Sequence, residues 1–178
     1  MSYSYTNLQI KTGDPGRVRE AIDLCNIGTA KMLARAEVSW VSVYPFMTED
    51  DFAYLKECAE RVSRRMALPV FGFMVPNGAV FRYILYEHGD LVDEYSYDPQ
   101  AQELVSGGKV DAVLSLAKPG MKKSRLQQLL HPSQPPQTER DREVAGDRLA
   151  LQFAEILGIP RVQMCVGFNH LKWAQAGR

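Results

Sequence analysis

The stretch VFGFMV-PNG-AVFRYILYE-HG-DLVDEYSY, residues 70–97, decides the fold. Its apolar and aromatic side chains recur at every second position, the period of a strand with one face buried. Asn77-Gly78 and His88-Gly89 interrupt the pattern, and both pairs supply the positive φ that a tight hairpin turn needs. Three antiparallel strands in a meander are therefore expected. Phe71 with Phe73, and Phe81 with Tyr83, repeat at i, i+2 and so share a face, as a core covered by helices requires. Tyr95 and Tyr97 also share a face, beside acidic residues. That face is core if the C-terminal helices cover it and a binding surface if they leave it open.

Upstream, Tyr5 to Ile10 alternates like a strand, and Asp14-Pro15 places a capping carboxylate before a residue suited to the first helical turn. Val18, Ala21, Ile22 and Cys25 then recur at helical spacing, up to a stop at Gly28. The chain from Lys31 to Tyr44 reads as extended, and Val38 to Tyr44 has the β-branched and aromatic content of a central strand. Thr48-Glu49-Asp50-Asp51 is a strong helix start. The helix it opens runs to about Ala67, with Phe52, Leu55, Cys58, Ala59, Val62 and Met66 on its apolar face.

Downstream the pattern turns helical, with pieces expected at 109–117 and 121–130 around the breaks at Gly107-Gly108 and Pro119-Gly120. Residues 131–138 hold three prolines, which exclude helix and strand and imply an exposed loop. A longer helix is expected over 139–157, ended by Gly158 and Pro160, and a last strand over Val162 to Phe168. The order β-α-β-α-β-β-β, helices, β implies an α+β fold, with a mixed, mainly antiparallel sheet and helices packed on it.

The chain has 178 residues, 46% of them apolar, with 21 acidic side chains balancing 21 basic ones. That length and composition fit one globular domain, 1–178, with its own core. Zero net charge argues against a general nucleic-acid binder, which needs surplus cations to displace counterions. Neither a signal peptide nor a membrane span is legible, and Cys25, Cys58 and Cys165 are odd in number and widely spaced, so a cytoplasmic protein with reduced thiols is expected.

The densest ionisable group is Glu87, His88, Asp90, Asp93, Glu94 and Asp98. Oxygen-rich clusters of this kind can bind a divalent cation or supply acid and base. Along a strand, however, Asp93 and Glu94 point to opposite faces, and turn residues are usually just solvated. Cys165, Asn169 and His170 superficially suggest a thiol nucleophile with its base and orienter, yet a nucleophile so near its own base in the chain is poorly placed, and a buried inert Cys with a surface His is the simpler reading. Ser106-Gly107-Gly108-Lys109 lacks the earlier Gly and the following Ser or Thr of a phosphate loop. No catalytic, metal or cofactor motif emerges, and no cofactor is expected.

Charge is segregated along the neutral chain: Lys109, Lys118, Lys122, Lys123 and Arg125 oppose only Asp111, whereas the span from Arg82 to Glu103 is acidic. WVSVYP (40–45) and LYEHGDLVDEY (85–95) resemble stretches of bacterial proteins of unassigned function; the resemblance covers about half the chain and transfers no site residues. The function expected from these features is non-enzymatic: a protein-binding domain, adaptor or immunity-like. Its recognition edge would be Tyr86, Glu87, Asp90, Asp93, Glu94, Tyr95 and Tyr97, facing a partner with a basic surface or a second copy of the chain, with no nucleic acid and no membrane. The alternative is a small hydrolase or ligand-binding enzyme with a pocket between sheet and C-terminal helices, using the acidic meander turn.

Overall fold

A computed structural model describes residues 4–35, 38–48, 51–101 and 103–167. The elements are β1 (Tyr5–Ile10), α1 (Pro15–Leu24), β2 (Ala30–Ala34), β3 (Val41–Pro45), α2 (Phe52–Met66), β4 (Val70–Val75), β5 (Phe81–Glu87), β6 (Asp90–Tyr97), β7 (Val105–Gly107), α3 (Val110–Leu114), α4 (Lys123–Leu130), α5 (Glu139–Glu143), α6 (Ala145–Leu157) and α7 (Arg161–Met164). All seven strands join one sheet in the order β2-β3-β1-β4-β5-β6-β7. Every pairing is antiparallel, so the fold is α+β as expected, without the parallel pair that a mixed sheet implies.

The alternation in β1, β4 and β5 sorts side chains into two cores on opposite faces. Phe71, Phe73, Phe81, Tyr83 and Tyr95 face α3, α4 and α6, where Phe153 of α6 lies 5.1–5.8 Å, centroid to centroid, from the rings of Phe71, Phe73, Phe81 and Tyr83. On the other face Leu8, Ile10, Val41, Val43 and Ile84 meet α1 and the Leu55, Cys58, Ala59 and Val62 stripe of α2. Gly72 lets α2 approach β4, because a Cβ there would lie 2.9 Å from Ile84 and 3.2 Å from Leu55. Burying this much apolar and aromatic surface on both faces is the main force holding the layers together.

Several boundaries differ from the sequence reading. The extended region divides into a β2–β3 hairpin, and Trp40 precedes β3, donating its indole N–H to the Leu157 carbonyl at 2.9 Å. The cap of α2 is Asp51, whose carboxylate accepts the Tyr54 N–H at 2.9 Å; Thr48 instead shares a buried 2.8 Å hydrogen bond with Thr6. The Asn77-Gly78 connection is a short 3₁₀ turn wider than a two-residue hairpin, although Asn77 and Gly78 do take positive φ of 49° and 71°. The C-terminal pieces are shorter than expected, and the long helix breaks at Val144 into α5 and α6.

The final expected strand is instead α7 across 161–164, while Phe168 lies outside the described residues. Polar side chains of the sheet draw in the carbonyls of this turn. Asn7 Nδ2 donates to the Met164 carbonyl at 2.8 Å, and Tyr44 donates to that of Gln163 at 2.7 Å.

Candidate functional site

The acidic cluster sits on the β5–β6 hairpin, whose turn is set by backbone geometry. His88 and Gly89 have φ of 57° and 88°, and Glu87 pairs directly with Asp90. The Gly89 N–H donates to the Ser63 hydroxyl at 3.1 Å, and that hydroxyl donates to the Leu68 carbonyl at 2.8 Å. The turn is thus fastened to the end of α2. No side chain fits at position 89, since a Cβ would lie 2.7 Å from the Arg64 side chain.

A bulge between Leu85 and Tyr86 shifts the register, so that Leu85 opposes Asp93 and Tyr86 opposes Leu91. Alternation along β5 and β6 distributes the seven candidate residues over both faces. Asp93, Tyr95 and Tyr97 turn toward α3, α4 and α6 and are buried; Tyr86 is buried on the α2 side. The tyrosine surface is therefore closed, because the C-terminal helices cover it. Tyr95 stacks on Tyr83 at 5.0 Å and donates its hydroxyl to the Leu130 carbonyl at 3.0 Å. Burial pushes the phenols of Tyr83 and Tyr95 far above their ordinary value.

Asp93 is a buried structural acceptor: one carboxylate oxygen takes the Tyr83 hydroxyl and the Lys109 backbone N–H, each at 2.7 Å. Glu94 is exposed on the α2 side and forms an ion pair with Lys56 at 2.6 Å. Glu87 and Asp90 remain, opposite one another, exposed, and without an ion-pair partner among the described residues. Like charges directly across a strand pair repel. Leu91, half exposed at 50%, projects from the opposite face of the same hairpin end.

The proposed acid/base or metal set of Glu87, His88, Asp90 and Asp93 does not converge. Asp93 is inside with its donors, whereas His88 is exposed at the turn. No group of three His, Cys, Asp or Glu side chains arranged to hold a metal ion occurs among the described residues. β6 is also not the outer strand: β7 pairs with Tyr95, Ser96 and Tyr97, and the Lys109 ammonium donates to the Val92 carbonyl at 2.7 Å. The basic segment is dispersed as well, with Lys123 paired to Asp111 and Arg125 to Glu155.

A cleft of about 400 Å³ lies between α4, the proline loop and α6. Residues 131–138 are mostly exposed, but Pro132 and Pro136 form one of its walls. Of the seven candidates only Tyr97 lines it. A second feature absent from the sequence reading is a buried polar seam on β1. Ser42 donates to Gln9, Gln9 to Asn7, and Tyr5 to Asp147, at 2.7, 2.8 and 3.1 Å. In the sequence, Asn7 and Gln9 look like the solvent face of an alternating strand; only the docking of α7 buries them. Cys165 lies by Tyr5 and Asp147, and burial raises its thiol above the ordinary value; Asn169 and His170 lie outside the described residues. No helix among the described residues is long and apolar enough to cross a membrane. Comparison with protein-family models, curated proteins and solved structures yields no match.

Proposed function

We propose that the chain is a non-enzymatic domain that binds another protein through the end of the β5–β6 hairpin. The observation that carries this reading is the Glu87–Asp90 pair: two exposed carboxylates held opposite each other, neither in an ion pair among the described residues, on a turn fastened to α2 whose neighbouring Arg64 is paired to Glu60. A cationic group on a partner relieves their repulsion, and a rigid turn loses little conformational entropy on binding. Leu91, on the other face of the same end, adds apolar contact. The partner is accordingly a protein with a basic surface and an apolar recess. Lys109 occupies the Val92 carbonyl, so recognition by side chains is favoured over addition of a strand at that point.

The test is affinity capture of the tagged chain from its source cells in gentle salt, followed by reconstitution with the purified partner. A stoichiometric basic partner is expected, with an association rate that falls as salt rises and capture that is abolished by Glu87→Lys with Asp90→Lys. Unchanged binding by this charge reversal, or recovery of the chain alone across growth conditions, overturns the reading. Asp93 is unsuited to such a test, because reversing its buried charge attacks the fold.

A further inference from the structure

The polar seam between β1 and α7 contains one side chain that the protein's own groups leave unbonded. Gln163 is 1% exposed, and neither its amide oxygen nor its amide nitrogen has a hydrogen-bond partner among the described residues. Turning the amide over changes nothing, because both atoms are orphaned alike. A buried amide in this state bears the desolvation cost of a donor and an acceptor together.

The surrounding polar groups are already engaged elsewhere. Asn7 Nδ2 donates to the Met164 carbonyl, and Asn7 Oδ1 accepts from Gln9 Nε2. Gln9 Nε2 also donates to the backbone carbonyl of Gln163 at 3.2 Å, while Gln9 Oε1 accepts the Ser42 hydroxyl. Tyr44 donates its hydroxyl to the same Gln163 carbonyl. The donors of the seam thus converge on the backbone of α7 and pass over the Gln163 amide.

The two orphaned atoms specify their ligand. A cation would satisfy the oxygen and leave the N–H unbonded, and an anion would do the reverse. A neutral group that donates and accepts at once meets both needs. With Gln163 1% exposed and Met164 beside it fully buried, that group must also be small enough to sit inside the protein. One water molecule does so: it donates to Oε1 and accepts the Nε2–H on the same side of the amide, closing a ring along one amide edge.

We infer that the Gln163 amide holds an internal water, a structural ligand that completes the hydrogen bonding of the seam joining α7 to β1 and β3. The site lies apart from the hairpin end formed by Glu87 and Asp90, so either assignment can fail alone.

The test compares the full chain with its Gln163→Met variant, in high-resolution crystal maps and in urea unfolding. In the parent a water is expected at about 2.7–3.2 Å from both amide atoms. Gln163→Met keeps the length of the side chain, removes both polar atoms and should lack that water. Because the variant gives up groups that were bonded, its unfolding constant should rise, or fall by less than about fivefold. An amide left unbonded predicts the opposite: Met removes a standing penalty, and the unfolding constant falls by about fivefold or more. Such a fall, a parent map without a water at the amide, or a protein group bonded to it overturns the inference. If the variant does not fold, the parent map decides.

Discussion

At the scale of single residues, the candidates that looked alike in sequence divide by what their oxygens touch. Asp93 and Glu87 are both strand carboxylates, but Asp93 bonds two donors inside the protein and Glu87 faces water. Asp93→Ala leaves the fully buried Tyr83 hydroxyl without an acceptor and should cost about 2–3 kcal/mol, whereas Tyr83→Phe should cost about 1–2 kcal/mol. Once the hydroxyl is gone, Asp93→Ala has less left to break, so the double variant should fall short of the sum in urea unfolding. Full additivity would show that the pair is not coupled. Asp147 yields a prediction about pH. Burial raises its carboxyl above the ordinary value, despite the opposing hydrogen bond from Tyr5. The folded state therefore holds this proton more tightly than the unfolded chain does. The resulting stability is present at low pH and is lost as pH rises through the folded value. Tyr5 and Cys165, the titratable groups beside it, stay neutral in this window because burial raises both. Asp147→Asn keeps an acceptor for Tyr5, so its stability relative to the parent should rise as pH climbs from the ordinary carboxylate range through the raised folded value. A flat or falling difference in urea midpoints would mean that the α6 N-terminus, which favours an anion, outweighs burial.

At the scale of elements, capping explains both what the sequence made legible and where it misled. Thr48 and Asp51 are each competent caps, and the choice falls to Asp51 because the Thr48 hydroxyl is taken by Thr6 and the Pro45 carbonyl. Asp51→Ala should therefore cost about 1 kcal/mol and Asp51→Asn almost nothing, read as shifts of the urea midpoint. Equal costs for the two would remove Asp51 from the cap. The meander was legible because period-two alternation and positive-φ turn residues agree there, and α2 because its stripe has a single period. The 161–164 segment was not, because RVQM satisfies a strand pattern locally and becomes a helical turn only when β1 and β3 bond its carbonyls. β7 escaped notice for a similar reason. Three residues carry no period, and Gly107 is required at a contact the sequence does not contain: a Cβ there would collide with the Glu94 carbonyl. The tyrosine surface failed on a tertiary fact, since alternation says that Tyr95 and Tyr97 share a face and not whether α4 and α6 lie over it. The cleft lay beyond sequence reasoning altogether, as its walls come from residue 97 and from three segments that approach one another only through packing.

For the whole molecule, β4 links the two cores. Phe71 and Phe73 of this strand pack under Phe153, while Val70, Gly72 and Met74 on its other side meet α2. Loss of support on either face strains the same backbone ladder, so neither layer of helices can leave while the sheet stays native. Unfolding should consequently be a single transition, even though the apolar side chains form two clusters on opposite faces of the sheet. Leu55→Ala removes packing from one face and Phe153→Ala from the other, and each should cost about 2–5 kcal/mol. The decisive measurement compares two signals in urea. Near-UV dichroism draws on the immobilised rings, among them Trp40, Tyr83 and Tyr95 of the core around Phe153, whereas far-UV dichroism counts all the helices. In the parent and in both variants the two curves should coincide, shifted together to lower urea. If Phe153→Ala lost its near-UV signal at a lower urea concentration than its helicity, α1 and α2 would hold the sheet without the C-terminal layer, and the two faces would be separate folding units joined by β4.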